Sequence, residues 1–142
     1  MRSCVKMEGK AMKSVVITGS GRGLGLEMAR RFCRNGWAVV LNDINPARLA
    51  EAKAELEKES ASFKVFAFPG DAASYTQLQQ LAKFAEDVCG QIDIWINNAG
   101  VNQPMKPVWE LEEKEISTLV EVDLKGAVLG SKVAMETMLP RK

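Results

Sequence analysis

Along this chain, short, mainly apolar runs alternate with longer segments in which apolar residues return every three or four positions. Four runs are rich in β-branched or aromatic residues: Val15 to Ile17, Trp37 to Leu41, Phe63 to Phe68 and Ile92 to Ile96. Runs that are apolar at successive positions predict strands covered on both faces, as in a parallel sheet. After the first run, Leu24, Met28 and Phe32 and the parallel row Ala29, Cys33, Gly36 recur at helical spacing, with Glu27, Arg30, Arg31 and Arg34 on the opposite side. That helix is predicted to end near Asn35-Gly36. Asn45-Pro46 opens a second helix, with Leu49, Ala52 and Leu56 on its inner face. Ser74-Tyr75-Thr76-Gln77 reads as a capping box for a third, which carries Leu78, Leu81, Ala82, Ala85 and Cys89 and ends at Gly90. A loop through Pro104 and Pro107 leads to a long final helix, from about Glu112 to Met138, stopped by Pro140.

Strand and helix alternating in this way predict an α/β fold with a parallel sheet. Right-handed crossovers favour the strand order 3-2-1-4, doubly wound with helices on both faces. In such sheets ligands bind beyond the carboxyl ends of strands one and four, where the order reverses. Strand four would lack an outer neighbour, so Ile92 to Ile96 would form an apolar edge and favour self-association or a homo-oligomer.

Composition narrows the function classes. The chain has 142 residues, 46% apolar and 26% charged, enough to bury one domain's core. A net charge of +1 with interspersed signs gives no basic field for nucleic acid or an anionic membrane. Cys4, Cys33 and Cys89 are odd in number and widely spaced, and histidine is absent, which argues against a zinc site, a disulfide framework and histidine-based catalysis. Residues 1–12 read as a flexible, solvated leader, with a truncated organelle-targeting remnant as the alternative; they hold no apolar run long enough for a secretory signal. No segment approaches the roughly 20 apolar residues of a spanning helix.

Candidate chemistry sits at the strand ends. The first strand breaks into Thr18-Gly19-Ser20-Gly21-Arg22-Gly23-Leu24-Gly25 and turns at once into a helix. Glycines there allow a sharp turn and close approach of a ligand to the backbone, and the helix N-terminus favours an anion such as a phosphate. The spacing of glycines at relative positions 1, 3 and 6 is not met, since the sixth position is Leu24 counted from Gly19 and Leu26 counted from Gly21. Asp43, 18 residues beyond Gly25 at the tip of strand two, is placed to accept both ribose hydroxyls of an adenosine and to repel a 2′-phosphate, which favours NAD. Arg22 argues the other way, because a guanidinium in the loop can pair with a 2′-phosphate, so NADP stays open. Asp71 follows Pro69-Gly70 and is either a partner for the adenine amino group or a turn residue. Asn97-Asn98-Ala99-Gly100 ends strand four with small residues beside the same crevice.

From about Lys13 to Arg141, the pattern Thr-Gly-x-x-x-Gly-x-Gly, the acid after strand two, Asp71-Ala72 and Asn-Asn-Ala-Gly together resemble the N-terminal half of the short-chain dehydrogenase/reductase family. The Trp95 and second Asn of Ile94 to Asn102 resemble chlorophyll(ide) b reductases more particularly. The resemblance implies a Rossmann-type sheet over residues 13–142 and an NAD(P)-dependent oxidoreductase that moves hydride between the cofactor and a carbonyl or alcohol. It implies a nicotinamide dinucleotide held by Gly19, Ser20, Arg22, Gly23, Leu24, Gly25, Asp43, Asp71, Ala72, Asn98, Ala99 and Gly100. It also implies a cytoplasmic location, or the plastid stroma for a chlorophyll(ide) b reductase-like protein.

Departures from the family pattern are as informative. Its catalytic tyrosine is followed four residues on by a lysine, whereas the one tyrosine here, Tyr75, reads as a helix-surface residue and is followed by Gln79. The chain ends at Lys142, before the expected tyrosine helix, so it is expected to bind cofactor without turnover. A stand-alone nucleotide- or partner-binding module is the alternative. Asp123 replaces the asparagine usual in the long helix and lies on the periodic face of Ile116, Leu119, Val120 and Ala127, which predicts a carboxylate turned toward the sheet, functional or structural.

Overall fold

The computed structural model describes residues 12–141; the expected leader therefore lies almost wholly outside the described residues. Four strands, β1 (Ser14–Ile17), β2 (Ala38–Asp43), β3 (Lys64–Pro69) and β4 (Ile94–Ile96), form one parallel sheet in the order β3-β2-β1-β4. Helices α1 (Gly23–Arg34), α2 (Pro46–Glu59) and α3 (Tyr75–Cys89) make the crossovers. The alternation expected of a sheet covered on both sides is realised residue by residue. Val15, Ile17, Val39 and Leu41 pack under α1 and α2, while Val16 and Val40 face α3 and the last helix. Leu41, Leu56, Leu78 and Leu81 are fully buried, each contributing about 1.5–3 kcal/mol through burial.

Boundaries move where side chains compete with the ladder. β2 starts at Ala38 and runs on to Asp43, paired through to Asp43 opposite Pro69, whereas Trp37 turns edge-on to Phe32 with ring centroids 5.2 Å apart. β4 begins at Ile94 because Asp93 is taken up by a cap: its Oδ2 accepts from Ser14 N at 2.7 Å and its Oδ1 from Gln91 Nε2 at 2.7 Å. Ile92 is buried, so the apolar edge is confined to the half-buried Ile94–Ile96. The capping box expected at Ser74 is only half made. Ser74 Oγ accepts from Gln77 N, but Gln77 Oε1 accepts from Asp71 N at 2.8 Å instead of returning to Ser74.

Arg30, placed on the polar side of α1 by the sequence, is buried and bonded to Glu27, Glu55 and Glu59. A buried guanidinium must be paired, and this network clasps α1 to α2.

The final helix is not uniform. A short 3-10 turn (Val108–Glu110) precedes α4 (Glu113–Leu119), which passes through a π-helical turn (Val120–Lys125) into α5 (Gly126–Met138) and a closing 3-10 turn (Leu139–Arg141). A π turn holds an extra residue per turn and so shifts every face counted with a period of 3.6. Asp123, expected to face the sheet, lies in this turn and is exposed, as are Ile116 and Val120.

Candidate functional site

The site is built on a knot between the ends of β1 and β4. Thr18 Oγ1 accepts from Asn98 N at 3.0 Å and Ala99 N at 3.1 Å and donates to Ile96 O at 3.4 Å, which uses all the bonding capacity of a hydroxyl. Asn98 Nδ2 returns the tie by donating to the carbonyls of Thr18 at 3.1 Å and Gly19 at 3.0 Å. The glycine loop packs so closely on this knot that a Cβ at Gly19 would come within 2.6 Å of Ala99 Cα. One at Gly25 would come within 2.4 Å of Gly19 O. Gly23 has a positive φ of +56°, as Gly19 does at +63°, but a Cβ there would meet nothing within 4 Å, so its backbone lies open to the cavity.

Helix α1 begins at this opening. Arg22 is extended at the N-cap and makes no side-chain cap, and no acid stands in the first turn. The leading amides of the helix therefore remain available, and with them the positive end of its dipole. A phosphate fits there without displacing anything the fold uses.

Asp43 stands at the end of β2 and is buried. Its Oδ2 accepts from Gly21 N at 3.2 Å; its Oδ1 accepts from Asn45 N at 2.9 Å and lies 3.4 Å from Arg48 Nη1. The strand-two acid is thus fixed against the glycine loop on one side and the start of α2 on the other.

A cavity of about 480 Å³ runs past these groups, within the range of small-molecule sites. Gly19, Arg22, Gly23, Leu24, Gly25, Asp43, Asp71, Ala72, Asn98, Ala99 and Gly100, all expected from the sequence, line it. Ser20 does not. It is fully buried and its Oγ is spent on Ile17 O at 2.8 Å and Asn42 N at 3.0 Å, which makes it a strut between the loop and β2. Asp71 is a turn residue, its Oδ1 accepting from Ala73 N at 2.8 Å, and it also lines the cavity.

Arg48, Asn42, Gly70 and Val122 also line the cavity and were not singled out in the sequence. Asn42 carries the one signal that was available, a polar residue inside an apolar strand. Its Nδ2 donates to Phe68 O and Gly70 O, both at 3.1 Å, and its buried Oδ1 has no partner among the described residues. Val122 reaches the rim through the π turn, whose neighbour Asp123 accepts from Val101 N at 2.8 Å.

No tyrosine–lysine pair enters the cavity. Tyr75 is half-buried between α3 and α5: its hydroxyl donates to Glu136 Oε2 at 2.8 Å and accepts from Lys132 Nζ at 2.8 Å. It is more than the helix-surface residue expected, because Lys132 also sits 4.2 Å from its ring centroid. The ammonium is stabilised by Glu136 and then by Tyr75, so its pKa is raised. Among the described residues no helix is long and apolar enough to cross a membrane, and no group of acids and cysteines is arranged to hold a metal.

A parallel sheet whose glycine loop, bare helix N-terminus and strand-two acid open on one cavity defines a Rossmann-type, NAD(P)-binding α/β domain. The chain belongs to the short-chain dehydrogenase/reductase family: the family described as "short chain dehydrogenase" matches residues 13–142. A diacetyl reductase [(S)-acetoin forming] of Staphylococcus epidermidis is 34% identical over 130 residues, covering 92% of this chain and 49% of its own length. A chloroplastic protein of Oryza sativa subsp. japonica, named a probable chlorophyll(ide) b reductase, is 36% identical over 141 residues, covering 89% of this chain and 28% of its own. Among solved structures, a short-chain dehydrogenase/reductase from Burkholderia phymatum in complex with NAD superposes with a TM-score of 0.85 at 29% identity, over 92% of this chain and 45% of that one. A variant of actinorhodin polyketide ketoreductase with NADPH gives 0.86 at 26% identity, over 95% and 51%. The chain spans about half the length, or less, of the relatives it matches.

Proposed function

We propose that this chain binds a nicotinamide dinucleotide, NAD in preference to NADP, as the cofactor-binding part of an oxidoreductase acting on a carbonyl or alcohol. The observation that carries the reading is Asp43, a buried carboxylate on the cavity wall beside amides free to hold a phosphate. In this reading Gly23 to Gly25 and the α1 amides take the pyrophosphate, Asp43 the adenosine ribose, Asp71 and Ala72 the adenine, and Ala99 and Gly100 the second ribose. The bound nicotinamide supplies or accepts hydride, and the protein's part is to hold it. Tyr75 is bonded to Lys132 and Glu136 and does not line the cavity, so the chain by itself binds without turning over.

Calorimetry with NAD and NADP tests this. Losing a hydrogen bond to a charged group costs about 1.5–3 kcal/mol, so Asp43→Ala weakens NAD binding by about tenfold or more, while NADP binding holds or improves. A melting curve on the same sample separates this from unfolding, since Asp43 also braces the loop. Tighter binding of NADP than NAD by the wild type, with the ratio unchanged in Asp43→Ala, sinks the assignment. Oxidation of NADH or NADPH by the 142-residue chain, followed by absorbance over a panel of carbonyls, sinks the claim of no turnover.

A further inference from the structure

Resting on that reading of the cavity, we infer that Arg48 is a second specificity-determining residue. Its guanidinium occupies the Asp43 carboxylate when the adenosine ribose is not there and becomes the partner of a 2′-phosphate when one is, so the site accepts both dinucleotides and its NAD preference is held down.

The geometry begins at the start of α2. Asn45 Oδ1 caps the helix by accepting from Arg48 N at 3.0 Å, which fixes the Arg48 backbone one turn from the cavity. A cation in the first turn of a helix faces the positive end of the dipole, and no acid shares that turn. The compensating charge is Asp43, which is set back on β2. The contact, 3.4 Å, is longer than the 2.7–2.9 Å usual between an ionised donor and acceptor. Arg48 is therefore loosely held, and its side chain is one-third exposed against 6% for Asp43.

Counting acceptor sites gives the consequence. An ionised carboxylate offers about four lone-pair directions. Gly21 N and Asn45 N take two of them and belong to rigid backbone, and Arg48 takes a third. One remains, yet a ribose presents two hydroxyls. For Asp43 to accept both, Arg48 must let go, and of the three donors it is the only one on a side chain that can swing. A 2′-phosphate at the same place meets the Asp43 charge but also a released guanidinium on the same wall, with Arg22 exposed on the loop. Arg48 thus opposes NAD through competition and assists NADP through charge.

The test uses the full chain and four probes measured by calorimetry: NAD, NADP, and the adenosine ends alone, 5′-ADP and 2′,5′-ADP. Arg48→Met keeps the stem and removes the charge. It is expected to weaken 2′,5′-ADP and NADP by about tenfold or more while 5′-ADP and NAD bind as well or several-fold better; Arg48→Lys restores part of the phosphate binding. If Arg48→Met leaves the ratio of 2′,5′-ADP to 5′-ADP unchanged and Arg22→Met abolishes it, Arg22 is the determinant and the inference fails with the site intact. If a normally melting wild type binds none of the four, the reading of the cavity falls and this inference with it.

Discussion

Gly21 and Asp43 are held together from both directions. The Gly21 amide donates to Asp43 Oδ2 at 3.2 Å, and a Cβ on Gly21 would come within 2.6 Å of that same oxygen. The Asp43 carboxylate is therefore positioned by the absence of a side chain on the glycine loop, and these two parts of the cavity wall cannot vary independently.

Gly21→Ala tests the dependence. The backbone there does not need a positive φ, so the added methyl acts first on the Asp43 side chain, which holds the three atoms nearest to it. The side chain is short and held by three donors, so it cannot move without losing at least one of them. NAD affinity is expected to fall about tenfold, from one lost charge-assisted bond, and the melting temperature to fall by several degrees, because that bond also braces the loop. Unchanged NAD binding in calorimetry shows that the carboxylate has room the packing denies.

The Arg30 network sets an acid limb for stability. Glu59 is held below its ordinary value of 4.5 by the hydrogen bond from Arg30, assisted by Arg34. A carboxyl whose folded pKa is depressed contributes stability above its unfolded value, and that contribution is lost as pH falls through the folded one. Melting temperature is expected to drop from about pH 4.5 downward, and Glu59→Gln to soften that slope. Glu115 and Glu136, lowered by Lys106 and Lys132 respectively, act in the same window, so the variant removes only part of the effect. Superimposable acid limbs for wild type and Glu59→Gln contradict it.

What could be read without the structure was whatever depends on local backbone chemistry. The loop from Thr18 to Gly25, the acid at Asp43 and the small residues after β4 each announce themselves by type and spacing, and all but Thr18, Ser20 and Gly21 line the cavity. Arg48 was illegible because a basic residue after Asn-Pro looks like helix surface; only the turn from β2 into α2 returns it to Asp43. Arg30 was misread for the opposite reason, since a strict apolar–polar division cannot foresee three glutamates converging on one buried cation. Asp123 was misplaced by counting at 3.6 residues per turn through a segment that does not keep that period.

Self-association is expected of this chain from two exposed features. Among the described residues no strand pairs with the outer side of β4. On the last helix Val128 and Met135, with Leu124 before them in the π turn, are 60%, 57% and 62% exposed, a row too apolar to be ordinary surface. A second copy of the chain is expected to cover both. Sedimentation at micromolar concentration is expected to show dimers or larger species, and Val128→Lys with Met135→Lys to shift them to monomer. A wild type that sediments as a sharp monomer overturns this.

The last expectation concerns Asp123. Its Oδ1 accepts from Val101 N at 2.8 Å, and a Cβ on Gly100 would lie 3.3 Å from it, so the π turn is pinned to the rim where β4 ends. The group is exposed and the bond needs one acceptor oxygen, not a charge. Asp123→Asn is therefore expected to leave melting and dinucleotide binding unchanged. Asp123→Ala releases the Val101 amide, which then exchanges hydrogen faster, and it weakens binding at the Ala99–Gly100 end of the cavity by several-fold. Exposed hydrogen bonds contribute modestly, about 0.5–1.5 kcal/mol, so the melting temperature should fall little even as exchange at Val101 rises. Equal Val101 exchange in the wild type and Asp123→Ala means that the rim is held by the Thr18 knot alone; a loss of binding in Asp123→Asn means that the charge, and not the acceptor, is what the site uses.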